Sequence, residues 1–168
     1  KVAAIAHEHH IPLIVDSTTT TPYLIRPFDL GADIVVHSAT KFLSGHGTVM
    51  AGLIVDGGTF DWESSDKFPQ MTEKYAGFHN LSFVEEFGPA AYIARVRNEA
   101  ARDFGACLAP NSSFLVLNGT ETLSVRMDKH ISNTKKVVDY LKNHEVGEWV
   151  SHPDLEDNPN HELAKTLL

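Results

Sequence analysis

Apolar runs and amphipathic segments divide the chain into two halves. The first half contains three short apolar runs that are rich in branched side chains, which predict buried strands. These runs are residues 11–18, whose strand ends at Asp16, residues 33–38 and residues 50–58. The proline- and glycine-containing segment between the first two runs is long enough for a crossover, which favours a parallel pair. The pattern predicts an α/β fold with a parallel-rich sheet and flanking helices.

The second half has the spacing of helices. Apolar residues at helical intervals predict a helix that Pro89 starts and that Pro110 ends; they are Phe87, Ala91, Ala94, Ala101, Phe104 and Leu108. A second amphipathic segment begins near Thr120, a candidate cap, and continues to Leu141. This helix of about twenty residues is long enough to bridge two domains.

The last residues predict the beginning of another domain. Residues 146–153 have the pattern of a first strand, so we expect one domain over residues 1–144 and the start of a second over residues 145–168. The first ten residues have the pattern of a helix without a preceding cap, and the helix that starts near Pro159 has no stop signal before Leu168. We therefore expect an internal piece of a longer protein, with a truncated C-terminal domain.

Composition narrows the function classes. The chain has 168 residues, 42% of them hydrophobic, and a formal net charge of −8, with no cluster of basic residues that could follow a phosphate backbone. Nucleic acid is a poor partner. Cys107 is the only cysteine, so no internal disulfide is possible, and we expect it to be buried in a helix. Without a run of eighteen apolar residues or a leader, the expectation is a soluble cytoplasmic protein without a membrane partner.

The chemistry is concentrated where two predicted strands end. Asp16 ends the first strand, and Ser38, Thr40 and Lys41 follow the second. In a parallel sheet, ligands bind beyond the carboxyl ends of the strands. Two hydroxyls for a phosphate, an amine for a Schiff base and a carboxylate for a ring nitrogen are the groups that pyridoxal phosphate requires. Each residue also has an ordinary interpretation, since Asp16 could form a turn and Lys41 could extend into water.

Longer stretches resemble a known family. The segment "VDST…TPYLIRPFDLGADIVVHSATKFLSGHGTVMAGLIVDGG" resembles the core of the Cys/Met metabolism family of pyridoxal-phosphate enzymes, most specifically at "HSATK". The segments "GGTFDW…KFPQMTEKYAGFH", "FGPAAYIARVRNEAARDFGACLAP" and "LEDNPNHELAK" are similar to the O-acetylhomoserine sulfhydrylase branch. The resemblance covers the whole chain and implies part of the large domain of a fold-type-I enzyme.

The resemblance assigns roles to individual residues. It implies that Lys41 is the catalytic lysine that forms the Schiff base, that Asp16 pairs with the pyridinium nitrogen, and that Thr18, Ser38 and Thr40 also bind the cofactor. It implies no metal. Two departures concern the substrate: Ser17 stands where the family usually has Asn, and "LAPNSS" at residues 108–113 replaces a more typical sequence.

The implied reaction is a γ-replacement on an O-acylated homoserine. By resemblance, sulfide replaces the acyl group and gives homocysteine in a homo-oligomer, a tetramer built from dimers. A C–S lyase and a cystathionine γ-synthase use the same lysine and acid, so both remain alternatives. Relatives also use residues from upstream and downstream segments and from a neighbouring subunit, and this chain lacks those segments.

Other readings of the same residues remain open. Ser38 and Lys41 fit the Ser-x-x-Lys pattern of penicilloyl-serine hydrolases, although the accompanying Ser-Asp-Asn and Lys-Thr-Gly elements are absent. The "HEHH" run at residues 7–10 lacks zinc-protease spacing, and His46 is either a loop residue or a contact to cofactor or substrate. Arg126 matches a family position; its alternative role is an ion pair with acids such as Glu121 or Asp128. An inactive fragment or a binding module without cofactor is the non-enzymatic alternative.

Overall fold

A three-stranded sheet forms the centre of the first half. The computed structural model describes residues 1–167. Strand β1 (Ile14–Asp16) runs parallel to β2 (Ile34–Ser38), as predicted. Strand β3 (Gly52–Asp56) runs antiparallel to β2. The direction reverses because the intervening segment folds back on itself, and Thr40 N–H donates to the Ala51 carbonyl at 3.2 Å just beyond the last paired residues.

The crossover between β1 and β2 is short and packs against the first helix. It contains α2 (Thr21–Leu24) and a 3₁₀ turn (Pro27–Leu30), which Gly31 ends with a φ of 91°. Helix α1 (Val2–Glu8) contacts this end of the crossover so closely that a Cβ on Gly31 would lie 2.9 Å from the Cβ of Ala3.

One histidine of the "HEHH" run has a structural contact. His7 Nε2 lies 2.8 Å from Asp33 Oδ2, and the same oxygen accepts a 2.7 Å hydrogen bond from the N–H of Leu13. Asp33 is buried, so these two contacts satisfy a carboxylate that would otherwise be costly to bury.

The predicted helix over residues 87–108 is broken into shorter elements. Two short helices, α3 (Pro69–Thr72) and α4 (Phe83–Phe87), come before it. The predicted range itself contains a 3₁₀ turn (Gly88–Ala90), α5 (Ala91–Arg95), a π-helix (Val96–Ala101) and α6 (Arg102–Phe104). Ala91 and Ala94 are buried as the pattern predicts, but Phe104 is 88% exposed. The π-helix adds a residue to the turn and shifts the register of the apolar positions that follow it.

Gly105 explains why the helix stops before Leu108. It adopts a φ of 69° in the left-handed region, where glycine commonly ends a helix. Cys107 therefore lies in an irregular segment and is exposed, so the prediction that it is buried in a helix is wrong.

Two helices follow in close succession. Helix α7 (Pro110–Glu121) starts at the proline that we expected only to end the preceding helix. Helix α8 (Leu123–Lys142) confirms the predicted helix of 20 residues. The predicted cap is wrong, because Thr120 lies inside α7 and donates its hydroxyl to the Leu117 carbonyl at 2.7 Å.

The predicted strand at residues 146–153 is not formed. Val146 and Trp149 are 82% and 80% exposed, and the three strands of the described sheet lie elsewhere in the chain. An apolar alternation without a neighbouring strand leaves its main-chain groups without ladder partners. Helix α9 (His161–Leu167) follows. We expected this helix to continue to Leu168 without a stop signal, and Leu168 lies outside the described residues. The division into two domains at residue 144 stays a prediction.

Two apolar clusters form the interior. The first brings the segment after β2 together with α7 and α8, through Ala39, Leu43, Val49, Val116, Leu123 and Met127. The second joins α3, α4 and α5 through Met71, Phe83, Ala91 and Ala94. Among the helices of residues 1–167, none combines the length and the apolar character that a bilayer crossing requires. The first cluster matters for function, because it lies directly beneath the segment that carries Lys41.

Candidate active site

A chain of hydrogen bonds joins the carboxyl ends of β1 and β2. Asp16 ends β1 opposite Val36, and its Oδ1 accepts a 2.9 Å hydrogen bond from the N–H of Thr18. The Thr18 hydroxyl oxygen in turn accepts a 2.7 Å hydrogen bond from the N–H of Ser38. The structure therefore brings together three of the predicted residues at one edge of the sheet.

Asp16 is an exposed carboxylate that stays ionised. Hydrogen bonds from the Thr18 side chain and then from the Thr18 main chain lower the pKa of Asp16 below its usual value, and the charge of nearby His37 adds to this effect. His37 itself is buried, with Nδ1 3.1 Å from the Ser17 carbonyl. A carboxylate of low pKa is suited to hold a proton on a basic ring nitrogen, because it stays negative over the neutral pH range.

Lys41 lies on the exposed side of a tight turn. The N–H of Lys41 donates to the Ser38 carbonyl at 3.1 Å, and the N–H of Gly45 donates to the Lys41 carbonyl at 2.9 Å. Ala39 and Leu43, on the opposite side of the turn, are buried in the first apolar cluster. The core thus fixes the backbone of the turn while Lys41 stays exposed.

The two hydroxyls of the motif are in different situations. Thr40 Oγ1 donates to the Ala51 carbonyl at 3.2 Å and accepts from the Ala51 N–H at 3.0 Å. Ser38 uses its main-chain N–H and carbonyl within residues 1–167, and its hydroxyl makes no hydrogen bond there. Of these two hydroxyls, only that of Ser38 is ready to donate to an anion without breaking an existing bond.

Arg126 makes contacts that the sequence did not predict. Its guanidinium donates to the Phe42 carbonyl at 2.8 Å and to the Gly119 carbonyl at 2.7 Å, both of which are main-chain oxygens. The alternative ion pair with Glu121 or Asp128 is wrong. Asp128 instead accepts a 2.9 Å hydrogen bond from the hydroxyl of Tyr23.

His46 and Gly119 complete the surroundings of the turn. His46 Nδ1 lies 2.5 Å from the Ser44 carbonyl, which supports its interpretation as a loop residue. Gly119 packs against the main chain of Ser44, and a Cβ there would lie 2.6 Å from the Ser44 Cα. Because no helix is predicted over residues 110–119, the sequence contains no local signal for this close approach. Over residues 1–167, histidine, cysteine and acidic side chains form no group of three that could hold a metal.

Comparison with known proteins finds similar sequences along the whole chain. The whole chain, residues 1–168, matches the family described as Cys/Met metabolism PLP-dependent enzyme. It is 46% identical to homocysteine synthase of Schizosaccharomyces pombe, over 100% of this chain and 40% of that protein. It is 42% identical to O-acetyl-L-homoserine sulfhydrylase of Leptospira meyeri, over 98% of this chain and 39% of that protein.

A solved structure has the same fold. A Campylobacter jejuni protein that carries N′-pyridoxyl-lysine-5′-monophosphate superposes with a TM-score of 0.93 at 35% identity, over 99% of this chain and 41% of that chain. The chain therefore spans about two fifths of the length of the relatives it matches.

Proposed function

The chain belongs to the Cys/Met metabolism family of PLP-dependent enzymes, and on that premise we propose that it carries the cofactor-binding lysine of an O-acetylhomoserine sulfhydrylase. The observation that carries the proposal is the juxtaposition of an ionised Asp16 and an unbonded Ser38 hydroxyl at adjacent strand ends, with Lys41 three residues beyond Ser38. The bound cofactor supplies an electron-accepting ring that stabilises negative charge next to the substrate amine.

Each residue has a distinct task in this proposal. Lys41 would hold the cofactor covalently through Nζ and, when released, would move a proton at the substrate Cα. Asp16 would keep the ring nitrogen protonated, and Ser38 would donate its hydroxyl to the phosphate. Thr18 would orient Asp16 through the hydrogen bond from its main-chain N–H. Thr40 could reach a phosphate only after giving up its bonds to Ala51, so its contribution in the present geometry is to fix the turn.

The substrate assignment comes from the named relatives. The S. pombe relative is a homocysteine synthase and the L. meyeri relative an O-acetyl-L-homoserine sulfhydrylase, so we propose γ-replacement of acetate by sulfide to give homocysteine. We also propose a homo-oligomeric, cytoplasmic enzyme that acts on a small amino acid and binds neither nucleic acid nor membrane. Large exposed apolar side chains such as Met50 and Leu117, 84% and 63% exposed, are consistent with association.

A trapping experiment tests the proposal directly. The protein expressed from its complete gene is mixed with pyridoxal phosphate, reduced with borohydride and digested, and the modified lysine is identified by mass spectrometry. We expect the adduct on Lys41 and its loss in Lys41→Ala, whereas Lys129→Ala, at an exposed lysine of α8, retains it. An adduct on another lysine, or none, would falsify the assignment.

A product assay then separates the candidate reactions. Incubation with O-acetylhomoserine and sulfide should yield homocysteine. Formation of a 2-oxo acid that does not depend on sulfide would instead identify a lyase, and preferential formation of cystathionine with cysteine would identify a cystathionine γ-synthase.

A further inference from the structure

The turn that carries Lys41 has its main-chain carbonyls fully paired. Local groups satisfy most of them: the carbonyls of residues 38, 39 and 41 accept main-chain N–H groups, and those of residues 40 and 44 accept the Ser44 hydroxyl and His46 Nδ1. The carbonyls of Phe42 and Leu43, the two residues that follow the lysine, have no local donor of this kind. Their donor comes from a distant helix.

Arg126 of α8 is that donor. Its Nη1 lies 2.8 Å from the Phe42 carbonyl and its Nη2 lies 3.4 Å from the Leu43 carbonyl. The same Nη2 is 2.7 Å from the carbonyl of Gly119, and Nε donates to the Thr122 hydroxyl at 3.1 Å. One guanidinium therefore ties the Lys41 turn to the junction between α7 and α8.

The geometry of these contacts requires arginine. Their donors are the separate N–H groups of a rigid planar fork, which a lysine ammonium cannot reproduce. Hydrogen bonds from a charged donor to a partly buried carbonyl are also stronger than those between neutral groups. The Ala39 and Leu43 side chains anchor the turn to the core, and Arg126 fixes the orientation of the peptide groups immediately after Lys41.

We propose that Arg126 is a positioning residue for Lys41, holding the turn in the orientation in which the lysine captures the cofactor. This inference rests on the proposed function of Lys41. Arg126 does not touch the amine in this role; it acts through the carbonyls of Phe42 and Leu43.

Gly45 gives this arrangement an independent test. A Cβ on Gly45 would lie 2.5 Å from Arg126 Cζ, so alanine there must displace the guanidinium. Gly47 is a matched control: its φ of 65° is close to the 72° of Gly45, but a Cβ on Gly47 would meet nothing within 4 Å. The two substitutions share the backbone strain of a left-handed residue, and only Gly45→Ala disturbs Arg126.

The experiment compares cofactor capture in five variants of the protein expressed from its complete gene. Arg126→Met removes the fork, Arg126→Lys keeps only the charge, and Lys129→Met removes an exposed charge from the same helix. Gly45→Ala is paired with Gly47→Ala in the same way. The readouts are the pyridoxal phosphate concentration for half-maximal borohydride trapping on Lys41, the visible circular dichroism of the bound cofactor, and the near-ultraviolet circular dichroism of the apo-protein.

The expected result is a specific loss of capture. Because displacement of a reacting group by about 1 Å costs on the order of a hundredfold, Arg126→Met should raise the half-maximal concentration by about ten- to a hundredfold and alter the visible band. Arg126→Lys should recover only part of the loss, and Lys129→Met should behave as wild type. Gly45→Ala should lose more than Gly47→Ala.

Two outcomes overturn the inference. One is wild-type capture and an unchanged visible band in Arg126→Met. The other is equal capture by Gly45→Ala and Gly47→Ala. This second comparison decides the question if Arg126→Met loses its near-ultraviolet circular dichroism and is therefore misfolded. Failure of the proposed function looks different, because wild type itself would then form no adduct on Lys41.

Discussion

Substitution of Gly119 by alanine should affect the free energy of unfolding in two opposite ways. Helix propensity favours the alanine, whereas packing against Ser44 opposes it. Gly119 is buried in α7. Alanine is a better helix former than glycine by about 1 kcal/mol, so propensity alone predicts that Gly119→Ala stabilises the protein. In the structure, however, the added Cβ would lie 2.6 Å from both the Cα and the carbonyl carbon of Ser44, where ordinary contact begins at 3.4 Å.

The packing term should exceed the propensity term. Ser44 presents main chain, so no rotamer change relieves the contact, and α7 must move away from the Lys41 turn by about 1 Å. Overpacking of this kind costs about 1–3 kcal/mol. The movement also stretches the 2.7 Å bond from Arg126 to the Gly119 carbonyl, and loss of a charge-assisted hydrogen bond costs about 1.5–3 kcal/mol. After subtraction of the propensity gain of about 1 kcal/mol, the net expected loss is about 1.5–5 kcal/mol.

Urea unfolding of the apo-protein measures this difference. The matched control is Asn118→Ala, at the preceding, exposed position of α7, which should stabilise the protein by up to about 0.7 kcal/mol through propensity. We expect Gly119→Ala to lower the free energy of unfolding while Asn118→Ala leaves it unchanged or raised. If both substitutions stabilise the protein, α7 does not pack on the Lys41 turn as described.

Two further predictions concern the hydroxyls of the site. Thr40→Val should lower the free energy of unfolding by about 1–3 kcal/mol, because the Ala51 N–H loses its partner, while the Ala51 carbonyl keeps the Thr40 N–H and loses only the hydroxyl. Thr40→Ser should stay near wild type in urea unfolding, and equal loss in both variants would contradict the hydroxyl's role. Thr18→Val should raise the pKa of Asp16 toward 3.8, measured by carboxyl NMR titration. Because the folded pKa of Asp16 is depressed, its contribution to stability is present above about pH 3.8 and is lost as the pH falls through the folded value. The substitution keeps the main-chain N–H of residue 18, so an unchanged titration would refute the contribution of the Thr18 hydroxyl.

Periodicity predicted the positions of the strands and of the longest helix. Strands β1 and β2 form at apolar runs that end at Asp16 and Ser38, and α8 buries Leu123, Met127 and Val138 at helical spacing. The predicted burial of the strands is confirmed for β2 and is wrong for β1 and β3, whose side chains are largely exposed.

Elements that depend on neighbours escaped prediction. The π-helix shifts an apolar register that the sequence repeats without interruption, and the alternation at residues 146–153 found no strand to pair with. Helix α7 was not predicted because Pro110 was interpreted only as the end of one helix, whereas it is also the first residue of the next. None of these outcomes is encoded within a window of a few residues.

The site shows the same division between local and distant information. The positions of Asp16, Ser38 and Lys41 follow from strand ends, which the sequence marks. The interactions that hold the lysine in place do not, since Arg126 and Phe42 are separated by 84 residues. Their partnership is visible only once α8 packs beneath the turn.

This arrangement separates the chemistry of the turn from its support. On the exposed side, the Lys41 side chain and the Ser38 hydroxyl have little to hold them, which leaves them available to a ligand. On the other side, Thr40 is bound to the neighbouring main chain, Leu43 is buried, and Arg126 pairs the carbonyls that remain. A reactive amine on a short exposed turn would otherwise sample many orientations at an entropic cost. Because the constraint is applied to the peptide groups and not to the amine, the lysine can bind and release a partner while its backbone stays fixed.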